Sequence, residues 1–293
     1  MNEFTIICHT TPIPIKGLSH SLGISCFIDT LLTSIYTSPI HYFIKNTINH
    51  STYSNTEPTY DKYKLHVKYL QLFLTKLHTS IFSPKHARMT IHEHTYLLNI
   101  PFFASLIKDA QLHNGGDEVE FLQLFMEFFK LTPTRIKIIT FISNDKQHWI
   151  PYKTSIEYHS IIYQTSDIQQ IQDIVHKCYS QEIQQPDEPI QLQGVTYRYV
   201  NYHKYIINSD CLIIKTQTYS FIKSIPIEFR WKNKTFQIKC ITMFNNNHYT
   251  SLIYRHNEWY YYNDMTMSIK KIKIQDYMQQ IKKYTSLVIF EPL

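Results

Sequence analysis

Gly17-Leu18-Ser19-His20-Ser21-Leu22-Gly23-Ile24-Ser25-Cys26-Phe27-Ile28-Asp29-Thr30 delivers a cysteine to the first turn of a predicted helix. The apolar residues that follow, Phe27, Ile28, Leu31, Leu32, Ile35 and Tyr36, recur as adjacent pairs every four residues, the spacing of a broad buried helical stripe. Cys26 therefore sits where backbone N–H groups and the helix macrodipole favour a thiolate over a thiol. A lone cysteine is ordinarily a small buried core residue. A second stretch, far along the chain, argues against that bland assignment.

That stretch is Phe244-Asn245-Asn246-Asn247-His248-Tyr249-Thr250-Ser251-Leu252-Ile253-Tyr254, followed by Trp259-Tyr260-Tyr261-Tyr262-Asn263-Asp264. It reads as two strands joined by a turn at His256-Asn257-Glu258, with His248 opening the first strand and Asn263 and Asp264 ending the second. Adjacent strands lie about 5 Å apart, so the far end of the second reaches back to the start of the first. A base and its orienting group would then stand side by side. Cysteine, histidine and an amide or carboxylate suffice for thiol-dependent acyl transfer. His248 takes the proton from Cys26 and returns it to the leaving amine, and Asn263 or Asp264 fixes the imidazole.

In these residues the chain resembles a divergent ubiquitin-specific protease, the deubiquitinating branch of the papain-like fold. Many members carry a cysteine box Gly-Leu-x-Asn-x-Gly-Asn-Thr-Cys-Tyr-x-Asn-Ser. Gly17, Leu18, Gly23, Cys26 and Phe27 keep its outline, with one extra residue between Leu18 and Gly23. The family's histidine box, Gly-His-Tyr, an aliphatic strand and then Trp-Tyr-x-Phe-Asp/Asn-Asp, is matched by His248, Tyr249, Trp259, Tyr260, Tyr262, Asn263 and Asp264. By that match Asn263 takes the third place of the triad and Asp264 is the neighbouring acid. Asp117-Glu118-Val119-Glu120-Phe121-Leu122 resembles the family's Gln-Asp-Ala-x-Glu-Phe-Leu, a thumb-helix segment whose acidic residues contact the arginine-bearing tail of ubiquitin in relatives. The resemblance thus makes Asp117 and Glu120 tail-binding candidates, with Tyr249 beside the base. Leu287-Val288-Ile289-Phe290-Glu291 looks like the family's last palm strand.

The departures bear on chemistry. Five residues before Cys26 stands Ser21, with His20 beside it, where the family usually has the Asn that donates to the oxyanion. Losing one such donor costs roughly 100–1000-fold in rate. Ser21, His20 or the Cys26 backbone N–H must carry more of that task, or the enzyme is slow. Asn247 replaces the usual Gly before the histidine, which would narrow access to the cleft.

Many relatives hold zinc in their fingers through two Cys-x-x-Cys pairs. The five cysteines here, Cys8, Cys26, Cys178, Cys211 and Cys240, are scattered, and no structural zinc or other cofactor is expected. His92 and His94 could line up on one strand face, but a third ligand is lacking nearby.

Composition bounds the rest. A chain of 293 residues can bury a substantial core. It has no apolar run approaching the roughly 18 residues of a membrane span, and Glu3 and Pro12 interrupt any signal peptide. Cytosol or nucleus is the expected setting. With Gly at only 5 and Ile, Lys, Asn and Tyr abundant, the bias suits an AT-rich genome such as that of a large DNA virus or intracellular pathogen, in which case the setting is a host cell. The net charge of +6 is dispersed, so a nucleic-acid partner is not expected, and Lys270-Lys271-Ile272-Lys273 should face water.

Residues 26–130 read mostly helical. Leu65, Tyr69, Leu70, Phe73, Leu74 and Leu77 form one stripe; Phe121, Leu122, Phe125, Met126 and Phe129 form another after the Gly115-Gly116 break. From about 134 onward β-branched and aromatic residues dominate, as in 136–142, 197–202, 212–215 and 236–243, and 181–193 reads as an exposed connection. The expectation is one α+β catalytic domain over 1–293, papain-like and of the ubiquitin-specific protease type, with a helical thumb to about 133 and β fingers and palm from about 134. It would cleave after the C-terminal Gly-Gly of ubiquitin or a ubiquitin-like modifier. The rivals are another papain-like thiol protease, such as a viral processing enzyme, and a weak or inactive module that binds ubiquitin or serves structurally.

Overall fold

A computed structural model describes residues 15–16, 25–38, 40–49, 58–80, 99–113, 115–145, 147–163, 170–177, 182–216, 224–266 and 268–293. His20, Ser21, His92, His94, Cys8, Cys178 and the glycines of the cysteine box lie outside them. The expected helix begins at Cys26: α1 spans Cys26–Thr37. It is not an amphipathic stripe, however, because all twelve of its residues are buried. Its polar residues tolerate this by finding partners. Ser25 Oγ donates to Asp29 Oδ2 at 2.6 Å, Thr30 Oγ1 to the Tyr249 carbonyl at 3.1 Å, and Ser34 Oγ to the Thr30 carbonyl at 2.6 Å. A helix buried all round is the centre of a core, and α1 packs against helices and strands alike.

Its helical neighbours are α2 (His41–Phe43), which runs into a π-helical stretch at Ile44–Ile48, α3 (Pro58–Ser80), α4 (Ala104–His113) and α5 (Glu118–Phe128). In α3, Val67, Leu70, Phe73, Leu74 and Leu77 are buried, whereas Leu65 and Tyr69 face water. The apolar face is therefore rotated from the expected stripe, onto the 67/70/74/77 row that follows helical spacing more closely. On α5 the expected stripe holds: Phe121, Leu122, Phe125, Met126 and Phe129 are all buried. Asp117 caps this helix by accepting from the Val119 N–H at 2.6 Å. Gly116, just before it, lies against the Phe27 ring; a Cβ there would stand 2.5 Å from Phe27 Cζ, so no larger residue fits without displacing the aromatic that follows Cys26.

The strands are β1 (Ile15–Lys16), β2 (Thr134–Ser143), β3 (Ile150–His159), β4 (Ile162–Tyr163), β5 (Glu182–Leu192), β6 (Val195–Ser209), β7 (Leu212–Lys215), β8 (Glu228–Trp231), β9 (Lys234–Asn245), β10 (His248–Arg255), β11 (Glu258–Asn263), β12 (Ser268–Ile272) and β13 (Thr285–Pro292). Among the described residues they form a large sheet, ordered β1-β12-β11-β10-β9-β13-β7-β4 with β8 on β9, and a small sheet, β3-β2-β6-β5. Pairing is antiparallel except between β4 and β7. The expected connection at 181–193 is instead mostly strand: β5 pairs with β6 at the edge of the small sheet. An edge position tolerates Pro186, and the register shifts between Pro186 and Ile190.

Both faces of the large sheet are covered. Cys240, Ile253, Tyr262, Leu287 and Ile289 join the core around α1, while Ile238, Ile241, Leu252, Val288 and Phe290 join a second core with α6 (Ile171–Lys177) and α7 (Met278–Tyr284). Burial on two sides explains the unbroken apolar run of β13. Lys270 and Lys271 on β12 face water, the latter paired with Glu258. No helix among the described residues is long and apolar enough to cross a membrane.

Two tight turns bracket β10, the strand that the histidine opens. Asn246-Asn247 joins β9 to β10, and His256-Asn257 joins β10 to β11, with all four residues at positive φ. That is the twist required of two-residue hairpin loops, and Asn is among the few non-glycine residues that accept it. Asn247, at φ 58°, keeps the backbone conformation a Gly would adopt while adding a side chain to the cleft wall.

Candidate active site

His248 opens β10 opposite Asn245, directly after the Asn246-Asn247 turn. β11 runs back beside β10 and ends at Asn263, so its terminus returns to the level of His248. His248 Nε2 stands 3.0 Å from Asn263 Oδ1 and 3.1 Å from Asp264 Oδ1. Asn263 Oδ1 also accepts the Met265 N–H at 3.0 Å. A backbone N–H must face an acceptor, which orients the amide with its oxygen toward the ring. Nε2 then donates its hydrogen, and Nδ1 of the neutral ring is the basic nitrogen. The side chain of Asp264 is fully buried and adds a carboxylate to the same ring edge.

Cys26 meets this strand one residue further on. The N–H groups of Tyr249 and Phe27 act on its sulfur in favour of the thiolate, and four residues along α1 Thr30 Oγ1 donates to the Tyr249 carbonyl at 3.1 Å. The first turn of α1 is thus fastened to the opening of β10. The expected thiolate is not what this environment favours. Burial pushes the Cys26 thiol up from its ordinary value, and the nearby carboxylates of Asp264 and Asp29 push the same way, against the two N–H groups. At 6% exposure, desolvation outweighs the helix N-terminus.

The thiol borders a cleft of about 570 Å³. Asp117 and Glu120, both exposed, line it with Asp109, and Tyr249, Phe244 and Asn247 form the wall nearest the histidine turn. A larger cavity of about 840 Å³ shares Leu106, Asp109 and Glu120 with it and continues to Tyr158, His159 and Ser160 beside the small sheet. Tyr249 packs its ring on Phe244, and its hydroxyl accepts the Glu118 N–H.

Three further residues belong to this site and escaped the sequence reading. Asp29 lies one turn from Cys26, fully buried. Glu118 is fully buried beneath the cleft, accepting from Thr242 Oγ1 at 2.7 Å, and burial raises its pKa to about 7 although Lys215, Ser286 and Thr242 pull it down. Lys215, at the end of β7, lines the cleft and donates to Ser286 Oγ at 2.9 Å. A signal for Glu118 was present: it falls three residues before Phe121, four before Leu122 and seven before Phe125, on the apolar face of its helix.

No three of His, Cys, Asp and Glu among the described residues are arranged to hold a metal ion. Of the oxyanion candidates, Ser21 and His20 lie outside the described residues.

Solved structures share this arrangement of elements. A SAGA DUB module of Ubp8, Sgf11, Sus1 and Sgf73 bound to monoubiquitin matches over 98% of this chain and 72% of its own, at TM-score 0.67 and 15% identity. The chain shares the Ubp8 fold. A second Ubp8 module, bound to ubiquitin aldehyde, matches at TM-score 0.64 and 13% identity over 98% of this chain and 73% of that one. A yeast SAGA module with a substituted Sgf73 matches at TM-score 0.63 and 13% identity, over 98% and 72%. No protein-family model matches the sequence, and no curated protein does. The likeness is one of fold.

Proposed function

We propose that the chain is a thiol-dependent deubiquitinase that cleaves after the C-terminal Gly-Gly of ubiquitin or a ubiquitin-like modifier. The observation that carries this reading is that α1, with Cys26 in its first turn, is bonded through Thr30 to Tyr249 while the neighbouring His248 hands Nε2 to Asn263. In the proposed reaction the Cys26 sulfur attacks the glycine carbonyl as its proton passes to His248 Nδ1, and the carbonyl π pair moves onto oxygen. Collapse of that intermediate expels the lysine amine, which takes the proton from His248, and leaves a thioester. Water, deprotonated by His248, then releases the modifier's carboxylate and restores the thiol. Asn263 holds the ring in the tautomer this needs, and Asp264 stabilises the imidazolium. The cleft bordered by Asp117 and Glu120 receives the tail. The exposed face of β3 that carries Ile156 and Tyr158 would support the body of the modifier.

The raised Cys26 thiol with Asp29 and Asp264 beside it favours one second reading, a modifier-binding module with little turnover. Ubiquitin carrying a C-terminal electrophile separates the two. Covalent capture by the parent and none by Cys26→Ala supports the protease. Saturable but wholly non-covalent binding supports the module, and neither binding nor capture rejects both for ubiquitin.

A further inference from the structure

The α5 acids point in different directions. Asp117 and Glu120 line the cleft, whereas Glu118 turns into the protein, where the family's motif has Ala. A buried carboxylate needs a partner. Its Coulombic partner is Lys215, on β7, a strand of the large sheet. Lys215 shares the face of Ile213, which packs in the core around α1, and its side chain emerges in the cleft that Cys26 borders. An ammonium carries three donors, and Ser286 Oγ takes one of them at 2.9 Å.

Lys215 is therefore held on the sheet side of the cleft by Ser286 and by the charge beneath it, rather than drawn across to Asp117 and Glu120. The cleft keeps two walls of opposite sign. An extended peptide presents successive side chains to opposite sides, so a channel with such walls reads alternate positions with opposite charge preference.

Resting on the deubiquitinase reading, we propose that Lys215 is a specificity-determining residue. The tail it selects carries basic side chains toward Asp117 and Glu120 and, at the intervening position, an acceptor side chain, carboxylate or amide, toward the ammonium. A tail with a basic residue at that position would meet Lys215 and be rejected.

The test uses fluorogenic peptides Arg-X-Arg-Gly-Gly-aminocoumarin with X as Glu, Gln, Leu or Lys, on the parent and on the Glu118→Gln/Lys215→Met double variant. The double variant removes both charges and so strands no buried carboxylate. For the parent, kcat/KM should be at least tenfold higher with Glu than with Lys at X, carried by KM. In the double variant the ratio should fall to within about twofold, while a shared small-reagent rate at Cys26 and an unchanged melting profile attest the fold. Parallel anisotropy titrations of labelled Arg-X-Arg-Gly-Gly acids on Cys26→Ala separate the two proposals. The same ranking in binding without any parental turnover upholds Lys215, and absence of covalent capture by the ubiquitin electrophile rejects the protease. Turnover that ignores X, or a ranking that survives in the double variant, overturns Lys215 and leaves the protease standing. Neither turnover nor binding overturns Lys215, and the ubiquitin electrophile decides the protease.

Discussion

Asn263 Oδ1 accepts from His248 Nε2 at 3.0 Å while the Met265 N–H, also at 3.0 Å, holds that oxygen in place. Asp264 approaches the same nitrogen at 3.1 Å. The two neighbours therefore offer different things to one ring: Asn263 a fixed acceptor, Asp264 a charge. Asn263→Ala removes the group that sets the tautomer and should lower kcat/KM on a ubiquitin fluorogenic substrate by roughly 100-fold, the lower end of what a positioned acid–base group contributes. Asp264→Ala should cost less. The opposite ranking would make Asp264 the orienter.

The Cys26 thiol is raised by burial first and then by Asp264 and Asp29. Its alkylation by iodoacetamide should keep climbing as pH rises through 9, since thiolate is the reactive form. Asp29→Asn keeps an acceptor for Ser25 and removes one charge, so its alkylation at pH 7 should exceed that of the parent. A parental plateau near pH 6 would instead reveal a preformed thiolate–imidazolium pair.

How much of this was legible in the chain can be judged from particular residues. The helix start at Cys26, the two-residue turn before His248 and the strand end at Asn263 were readable because each boundary is marked by local chemistry. Local spacing also carried the α5 stripe and the β7 and β9 strands. The rotation of α3 away from Leu65 and Tyr69 depends on what the helix packs against. So does the complete burial of α1, whose Thr and Ser residues look solvent-facing until their hydrogen-bond partners, Thr30 with Tyr249 among them, are present. The upward push of burial on the Cys26 thiol was illegible for the same reason: the helix N-terminus is a local feature, and desolvation is a tertiary one.

Asp117 and Glu120 share the cleft yet differ in a second duty. Asp117 caps α5, so Asp117→Ala should both raise KM for ubiquitin and cost about 1 kcal/mol of stability, the usual worth of an N-cap. Glu120 is exposed, so Glu120→Ala should raise KM and leave the melting temperature in place. Steady-state kinetics with paired thermal melts check both. An unchanged KM in Glu120→Ala would remove it from the tail site.

Glu118 is fully buried, with a pKa of about 7 against an ordinary value of 4.5. The groups that face it come from every element around it: Lys215 on β7, Thr242 and Cys240 on β9, Tyr249 on β10, Ser286 on β13 and Asp117 before its own helix. Burial raises the pKa, so the folded state binds the proton more tightly than the unfolded chain does. The resulting stability is fully present below pH 4.5 and is lost as pH rises to about 7. An upward shift of this size corresponds to about 3 kcal/mol across that window. Glu118→Gln keeps an acceptor for Thr242 and cannot titrate, so denaturant unfolding of the variant should lack this component of the decline between pH 5 and pH 7.5. The variant should gain relative stability at the upper end, less what Lys215 loses with its partner. Parallel pH–stability curves for parent and variant would show that Glu118 titrates as in water and that its burial is relieved by the Lys215 charge throughout the range.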